Sequence, residues 1–163
     1  ASGVVKNVFF TDSPGEWFSK WAVNADSPDA TGAKWVEENS DAFLIFADCE
    51  KLAGEQRSKA RNELRGIIER LGETVGKRPV ILVWAKSDIS PKEGIKSAIQ
   101  RALSRNIPQA IEMEISVSKS EEMVNITSCV LNESWSPVRP NTMQEPVLQH
   151  NPFAAFRGYY EFT

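Results

Sequence analysis

Apolar residues in this chain follow two kinds of pattern. Segments rich in apolar, β-branched and aromatic residues at residues 4–10, 42–47 and 79–84 predict strands. In these segments apolar and polar residues do not alternate strictly, and a strand that is buried on both faces need not alternate. At residues 111–117 apolar and polar residues do alternate, which predicts a strand that is half exposed or lies at a sheet edge. The pattern therefore predicts four strands.

Stretches with helical spacing separate these runs. The clearest of them repeats apolar residues along one helical face, at Ala60, Leu64, Ile67, Ile68, Leu71 and Val75. Shorter helices are predicted at residues 16–23, around Trp35, after a capping signal at residues 90–93, and after a second capping signal at residues 118–121. Because strands and helices alternate along the chain, we expect an α/β fold with a mainly parallel sheet and right-handed crossovers.

Length and charge limit the possible classes of protein. A chain of 163 residues suits one domain with its own core. The net charge of −3 argues against a nucleic-acid surface, which calls for a basic excess. The arginines on the polar side of the long predicted helix are typical of a solvated face.

Cysteine and histidine are scarce, which excludes several kinds of site. The chain contains two cysteines, Cys49 and Cys129, and one histidine, His150. This is too few for a disulfide scaffold or a zinc site of the usual ligand set, and the histidine lies in a Pro-rich segment unsuited to a Ser-His-Asp triad. No apolar run is long enough for a membrane span. We therefore expect a cytoplasmic domain with reduced thiols.

Two segments are rich in aromatic residues, which could either pack on the domain or bind a partner. From residue 134 onward the chain is Pro-rich and ends in Phe153, Phe156, Tyr159, Tyr160 and Phe162. We expect an α/β domain at residues 1–133 and an extension at residues 134–163 that docks on the domain or on a partner. At residues 17–21, two tryptophans and a phenylalanine have the helical spacing of a core face, and tryptophan is also enriched in interface hot spots.

Polar residues follow the first predicted strand. Asp12 stands just after this strand, and Gly15 follows three residues later. A carboxylate at a strand end can hold Mg²⁺ through water, while a glycine brings its backbone N–H close to a terminal phosphate. The same Asp-Ser-Pro-Gly sequence is also an ordinary turn.

A second polar segment, residues 85–88, follows the third predicted strand with the sequence Ala-Lys-Ser-Asp. The Asp88 carboxylate offers two acceptor oxygens that pair with the adjacent N–H groups of guanine, a donor pair that adenine lacks. The stem of Lys86 can lie across the base and ribose. An exposed lysine and a helix-capping aspartate are the alternative interpretation.

The loop after the fourth predicted strand contains Ser116 and Ser118. Its backbone amides are candidates to meet the guanine oxygen, with Ser118 bracing the base. A helix cap explains Ser118 equally well. All three polar segments lie at carboxyl ends of predicted parallel strands, where ligands of such sheets bind.

Together these segments resemble the motifs of TRAFAC-type P-loop GTPases. Residues 12–15 resemble the Asp-x-x-Gly motif, and residues 85–88 resemble the Asn/Thr-Lys-x-Asp motif. Residues 43–50, the Arg-rich helix and residues 83–88 are similar to the bacterial double-GTPase family, whose members are associated with conflict or defence gene neighbourhoods. The resemblance covers about residues 4–131. It implies a three-layer Rossmann-like P-loop NTPase fold, GTP or GDP as ligand and Mg²⁺ as cofactor.

The chain departs from this family pattern at three places. It contains no Gly-x-x-x-x-Gly-Lys-Ser/Thr loop, so we expect an N-terminally truncated domain or a loop supplied by another polypeptide. Glu16 replaces the water-orienting Gln of many GTPases, where a carboxylate either repels phosphate or serves as a base. Ala85 replaces Asn or Thr, which removes a hydrogen bond that braces the loop.

The resemblance implies a GTP-binding and GTP-hydrolysing switch domain, with magnesium at Asp12, the terminal phosphate at Gly15 and Glu16 as the catalytic candidate. Guanine would be bound by Lys86, Asp88, Ser116 and Ser118. The alternative is a non-catalytic pseudo-GTPase module that contacts a protein partner or a second GTPase domain. A flavodoxin-like receiver or hydrolase domain would need acidic or nucleophilic clusters at strand ends that the sequence lacks.

Overall fold

The computed structural model describes residues 9–116 and 120–134. Its sheet has three parallel strands in the order β1 (Phe43–Asp48), β2 (Val80–Ala85) and β3 (Ile111–Ile115). The three later strand predictions are confirmed. Most of the first, at residues 4–10, lies outside the described residues, and at its end the prediction is wrong: Phe9 and Phe10 belong to no strand and are 75% and 65% exposed.

Helices connect and flank these strands. The α-helices are α1 (Gly15–Val23), α2 (Thr31–Asn39), α3 (Cys49–Ala53), α4 (Arg57–Thr74), α5 (Glu93–Asn106) and α6 (Ser120–Ser134), with a 3₁₀ turn at Pro28–Ala30. The predicted cap at Ser90 is wrong, because α5 begins at Glu93 without a side-chain cap. The short helix α3 was not predicted; it begins where Asp48 accepts two backbone N–H groups.

The sheet is covered on both faces, which gives three layers. On one face, residues of β1 and β2 such as Phe43, Leu82 and Trp84 form the larger core with helices α1 to α5. On the other face, Ile81 and Val83 pack against α6. Successive residues of a strand point to opposite faces of the sheet, and here both faces are covered. All residues of β2 from Val80 to Trp84 are therefore buried. The α/β prediction is therefore confirmed.

The aromatic residues of α1 are part of the core. Trp21 is buried and meets the ring of Phe18 edge to face, with 5.9 Å between the ring centroids. Trp17 packs on the backbone of Gly32, where an added Cβ would collide with its ring. The core interpretation of these aromatics is thus confirmed, and Gly32 is the residue of α2 that makes room for the indole.

The two edges of the described sheet differ in character. Glu112 and Glu114 of β3 lie on the face that α5 covers. Glu112 accepts a hydrogen bond from Trp84 of β2, and Glu114 accepts one from Lys96 of α5, at 2.9 Å in both cases. The other edge strand, β1, is apolar from Phe43 to Ala47, and its Phe46 is 48% exposed. Charges on an edge strand discourage further pairing, whereas an apolar edge strand is open to it.

Arg78 ties the amino-terminal edge of the sheet to two helices. Its guanidinium donates to the carbonyls of Glu37, Ser40, Thr74 and Val75, at 2.9–3.2 Å for the last three. It also pairs with the carboxylate of Glu37 and lies 4.9 Å from the ring centroid of Phe43. These carbonyls belong to the carboxyl-terminal ends of α2 and α4, where backbone acceptors lack helical partners.

We expect Arg78→Ala to lower the free energy of unfolding by about 3–5 kcal/mol, because Glu37 would remain as an uncompensated buried charge. Glu37 is 6% exposed. Urea denaturation followed by circular dichroism measures this loss. Lys77→Ala is the matched control, since Lys77 is exposed next to Arg78, and it should change stability by less than about 0.5 kcal/mol. Equal effects of the two substitutions would contradict the role of Arg78.

Candidate functional site

The carboxyl ends of the three parallel strands meet at one edge of the sheet. Ala85, the last residue of β2, is in register with Ile115, the last residue of β3, and with Asp48 at the end of β1. Just beyond, the Ser87 amide donates to the carbonyl of Ile115 at 3.0 Å. Lys86, Asp88 and Ser116 therefore belong to neighbouring loops, which we call the base corner. Ser118 lies outside the described residues.

The backbone of the base corner turns sharply at Lys86. Its φ is +57°, the one positive φ of a non-glycine residue in the described part of the chain. The Ile89 amide donates to the Lys86 carbonyl at 2.9 Å, which closes the turn. A left-handed conformation costs an ordinary residue about 1–2 kcal/mol, and such costs are concentrated at functional sites.

The Lys86 side chain crosses from the end of β2 to the end of β1. Its ammonium donates to Oδ2 of Asp48 at 3.1 Å and to Oε2 of Glu50 at 2.5 Å. The hydrogen bonds that it donates, first to Glu50 and then to Asp48, hold the pKa of Lys86 above its ordinary value. The ammonium is thus fixed over the strand ends, and the methylene stem spans the gap between the two strands.

Asp48 joins this lysine to helix α3. Its Oδ1 accepts the backbone N–H groups of Glu50 at 3.0 Å and Lys51 at 3.3 Å, which caps the amino end of α3. Partial burial pushes the pKa of Asp48 upward, but the Lys86 hydrogen bond and the two backbone N–H groups together outweigh it, so the pKa lies below its usual value. The carboxylate therefore stays ionised and keeps both connections at neutral pH.

Asp88 and Ser116 differ in how their polar groups are engaged. The side chain of Asp88 is exposed and makes no hydrogen bond or ion pair to the residues that the structure describes. The backbone N–H of Ser116, in contrast, donates to Oε2 of Glu122 in α6 at 2.6 Å. The carboxylate predicted to select guanine is open to solvent, while the amide predicted to meet its oxygen is already bonded to a carboxylate.

The other predicted site residues lie at the start of α1. Asp12, Gly15 and Glu16 are exposed; we call them the phosphate corner. Gly15 is the first residue of α1, and its carbonyl accepts a hydrogen bond from the hydroxyl of Ser19 at 3.3 Å. Glu16 lies in the first turn, where its negative charge interacts favourably with the helix dipole. Within residues 9–116 and 120–134, no hydrogen bond or ion pair connects them to the base corner. Their roles stay predictions.

A single exposed carboxylate suits one kind of magnesium site. Mg²⁺ commonly keeps several waters and binds through one or two carboxylates together with substrate phosphates. Asp12 fits such a site, but no group of three or more His, Cys, Asp or Glu side chains gathers around a cation position in the described residues. Any magnesium at Asp12 would therefore take its other ligands from water and from the phosphates of a bound nucleotide.

Three residues of the base corner's surroundings were missed by the sequence analysis: Asp48, Glu50 and Glu122. Asp48 carried a usable signal, since it ends a strand as Asp12 and Asp88 were expected to do. Glu50 and Glu122 carried none, because their contacts with Lys86 and Ser116 depend on how loops meet in three dimensions. Neighbouring Cys49 is buried, and burial raises the pKa of its thiol, so it remains protonated in the core.

The chain was compared with known families and proteins. The family model described as Double-GTPase 2 matches residues 1–133, which include α1 through most of α6. The chain belongs to the Double-GTPase 2 family. Searches of curated proteins and of solved structures found no match. Membership confirms the predicted resemblance and a GTPase-related function for this family member. None of its described helices is long and apolar enough to cross a membrane.

We expect Asp48→Asn to lower the free energy of unfolding by about 1 kcal/mol at pH 7. Asparagine can still cap α3, so the loss reports the negative charge of Asp48, which interacts with Lys86 and with the backbone N–H groups of α3. Because the folded pKa of Asp48 is depressed, its stabilisation is present above the unfolded pKa and disappears as the pH falls through the folded value. Urea denaturation of both proteins between neutral and acidic pH should give converging stabilities.

The control for this pH series is Asp41→Asn, which removes an exposed carboxylate that makes no hydrogen bond or ion pair to the described residues. Its stability should follow that of the unsubstituted chain at every pH. A constant difference between Asp48→Asn and the unsubstituted chain down to acidic pH would show that charge is not what Asp48 contributes.

Glycine and alanine substitutions at Lys86 should separate its backbone conformation from its ion pairs. Both remove the ammonium, but glycine adopts a positive φ without cost and alanine does not. Relief of the strained backbone favours glycine, whereas the greater conformational entropy of glycine in the unfolded chain favours alanine. The net difference should make Lys86→Gly more stable than Lys86→Ala by about 0.5–1 kcal/mol. At the exposed Ser90, whose φ is not positive, alanine should be the more stable of the pair. Thermal denaturation of the four variants tests both orders.

Proposed function

We propose that this Double-GTPase 2 member is a GTP-binding regulatory domain that selects guanine through its base corner. The observation that carries the proposal is the convergence of Lys86, Asp88 and Ser116 at the carboxyl edge of a parallel sheet. This edge is where open α/β sheets bind ligands. A role in a bacterial conflict or defence system is a further expectation from the family resemblance.

Guanine selection rests on the exposed carboxylate of Asp88. Its two oxygens accept the N1–H and exocyclic N–H groups of guanine as charge-assisted hydrogen bonds. Adenine presents an acceptor at the first of these positions, so it would leave one carboxylate oxygen facing a lone pair. Asp88 has no competing partner among the described residues, so it can take the base without breaking an existing bond there.

Lys86 supplies a surface for the base. Because Asp48 and Glu50 hold the ammonium, the stem is kept across the strand ends and offers its methylene groups to a flat ring. The three carboxylates of Asp48, Glu50 and Asp88 outnumber this one ammonium. Such a negatively charged corner repels phosphates, which favours binding of the nucleotide with its base here and its phosphates elsewhere.

Phosphate binding requires groups beyond the base corner. We propose Asp12 as a water-mediated magnesium ligand, Gly15 as an N–H donor to the terminal phosphate and Glu16 as the group beside the attacking water. The Gly-Lys-Ser/Thr loop would come from a segment that this sequence does not contain. The apolar edge of β1 suits such a segment, since an added parallel strand there would bring its own carboxyl end to the same edge.

One observation favours the pseudo-GTPase alternative. The ammonium of Lys86 and the amide of Ser116 are both satisfied by carboxylates of the chain itself, through Asp48, Glu50 and Glu122. A site whose polar groups are already paired gains less from a ligand. In this alternative the same contacts serve only to fix the loops, and the domain acts by contacting a protein partner or a second GTPase domain.

Nucleotide selectivity tests the proposed function. The full chain, labelled with ¹⁵N, should show weak, saturable shifts of base-corner amides with millimolar GTP and Mg²⁺, and none with ATP. Asp88→Asn should weaken GTP binding at least about tenfold, because one acceptor is replaced by a donor. The same change should improve binding of xanthosine triphosphate, whose base has a carbonyl where guanine has its exocyclic amine.

The role of Glu122 separates the two candidate functions. If Ser116 meets the guanine oxygen, Glu122→Ala should free its amide and strengthen GTP binding, while Glu121→Ala, at an exposed position one residue earlier, should not. Absence of any GTP-specific shift, or equal binding of GTP and ATP that ignores Asp88→Asn, would rule out guanine recognition and leave the interaction module.

A further inference from the structure

An open groove lies between α4 and α5, apart from the base corner. It has a volume of about 600 Å³. From α4 it is lined by Arg65 and Glu69, and from α5 by Ala98, Arg101, Ala102, Arg105 and Asn106. Its size is within the range of ordinary binding sites. Three of its seven lining residues carry a positive charge and one a negative charge.

Small residues explain why space exists here. Near the carboxyl-terminal ends of α4 and α5, the helices approach so closely that a Cβ on Gly72 would lie 2.8 Å from the Cβ and carbonyl oxygen of Asn106. Upstream of this contact, α5 presents Ala98 and Ala102 to the groove. Short side chains there leave room that the longer arginines border without filling.

Two arginines of the groove differ from the others in the described part of the chain. Arg57, Arg61, Arg65, Arg70 and Arg78 each have a hydrogen-bond or ion-pair partner. Arg101 and Arg105 are exposed, and their guanidinium groups make no such contact with the described residues. Both lie in the groove, one helical turn apart, in a chain that has 22 acidic and 19 basic residues. Acidic partners are therefore not scarce, yet neither arginine has one there.

We propose that the α4–α5 groove binds an acidic helical segment of a protein partner. Positions four residues apart on a helix are about 5–6 Å from each other, so the guanidinium groups of Arg101 and Arg105 match two carboxylates four residues apart on a second helix. Arginine forms two parallel hydrogen bonds to a carboxylate. Asn106 borders the same end of the groove and adds a polar group to its rim.

The charge pattern fits a protein better than a polyanion. Glu69 lies among the three arginines and pairs with Arg65 at 3.1 Å, with about half of its side chain exposed. A continuous phosphate backbone would meet this carboxylate unfavourably, whereas a protein segment can place a lysine or a neutral residue opposite it. The net charge of −3 also lacks the basic excess of a nucleic-acid binder.

The position of the groove leaves the base corner accessible. Helix α5 begins at Glu93, after the loop that contains Asp88, and Arg101 and Arg105 are eight and twelve residues further along. At 1.5 Å per residue, they lie roughly 12 and 18 Å down the helix from its start. A partner helix centred on these two arginines would therefore lie away from Asp88. Binding of the partner does not require the domain to bind GTP.

Binding of designed probes to the full chain tests this proposal. The first probe is an alanine-based helical peptide with glutamates four residues apart on one face. The second has the same composition with its glutamates distributed around the helix, and the third is inorganic tripolyphosphate. Fluorescence anisotropy for the labelled peptides, and calorimetry for tripolyphosphate, should show the first probe binding about tenfold more tightly than either other probe at moderate salt, because only it can engage both arginines bidentately.

Charge reversal at the two arginines supplies the matched comparison. Arg101→Glu/Arg105→Glu should abolish the preference for the first peptide, and Arg101→Ala/Arg105→Ala should reduce its affinity about tenfold. Lys77→Glu/Lys92→Glu makes the same charge change at exposed positions outside the groove and should leave binding within about twofold. Circular dichroism establishes that each variant is folded.

Three results would overturn the proposal. Equal affinity for the two peptides would show that only net charge attracts them. Tighter binding of tripolyphosphate would identify an anion site instead of a helix site. Equal loss of affinity in the arginine and lysine double variants would show that the groove itself is not where the peptide binds.

Discussion

The parallel direction of the three strands is the constraint on which the rest of this structure depends. Because β1, β2 and β3 run the same way, each connection must cross back over the sheet, and α4 and α5 are these crossovers. Both helices consequently run from the carboxyl edge of the sheet toward its amino edge. The six residues of β2 separate Arg78, which binds helix ends at the amino edge, from Lys86, which binds carboxylates at the other. The Arg78 contacts that stabilise the fold and the residues of the candidate site thus lie at opposite edges of the sheet, roughly 20 Å apart.

Much of the fold could be predicted from sequence periodicity, whereas the connections within the site could not. Strand β2 and helix α4 are long, strongly apolar or strongly periodic, so their positions were predicted to within a few residues. Helix α3 has five residues, which is too short for a helical period to be visible. The contacts of Lys86 with Asp48 and Glu50 span 38 and 36 residues of sequence. Nothing in either segment alone indicates that they meet.

The base corner shows what separates a predicted motif from a working site. Lys86, Asp88 and Ser116 were expected from strand-end placement, and the structure brings their loops together. The same structure reveals that Glu122 bonds the Ser116 amide, which no spacing rule anticipates. If a nucleotide bound this amide, the amide would exchange the Glu122 carboxylate for the guanine oxygen as its acceptor. The number of hydrogen bonds would stay the same, so the binding free energy would have to come from other contacts with the base. Selectivity would then rest mainly on Asp88, the one member with an unengaged carboxylate in the described part.

The apolar edge of β1 has a consequence for the life of the domain in a cell. An edge strand that is apolar from Phe43 to Ala47, with Phe46 half exposed, is a template for pairing with any extended chain, including another copy of itself. Quality-control chaperones and proteases act on such surfaces when they stay uncovered. In the described part of the chain no strand pairs with this side of β1, so a strand added there would remove a site of degradation and of self-association.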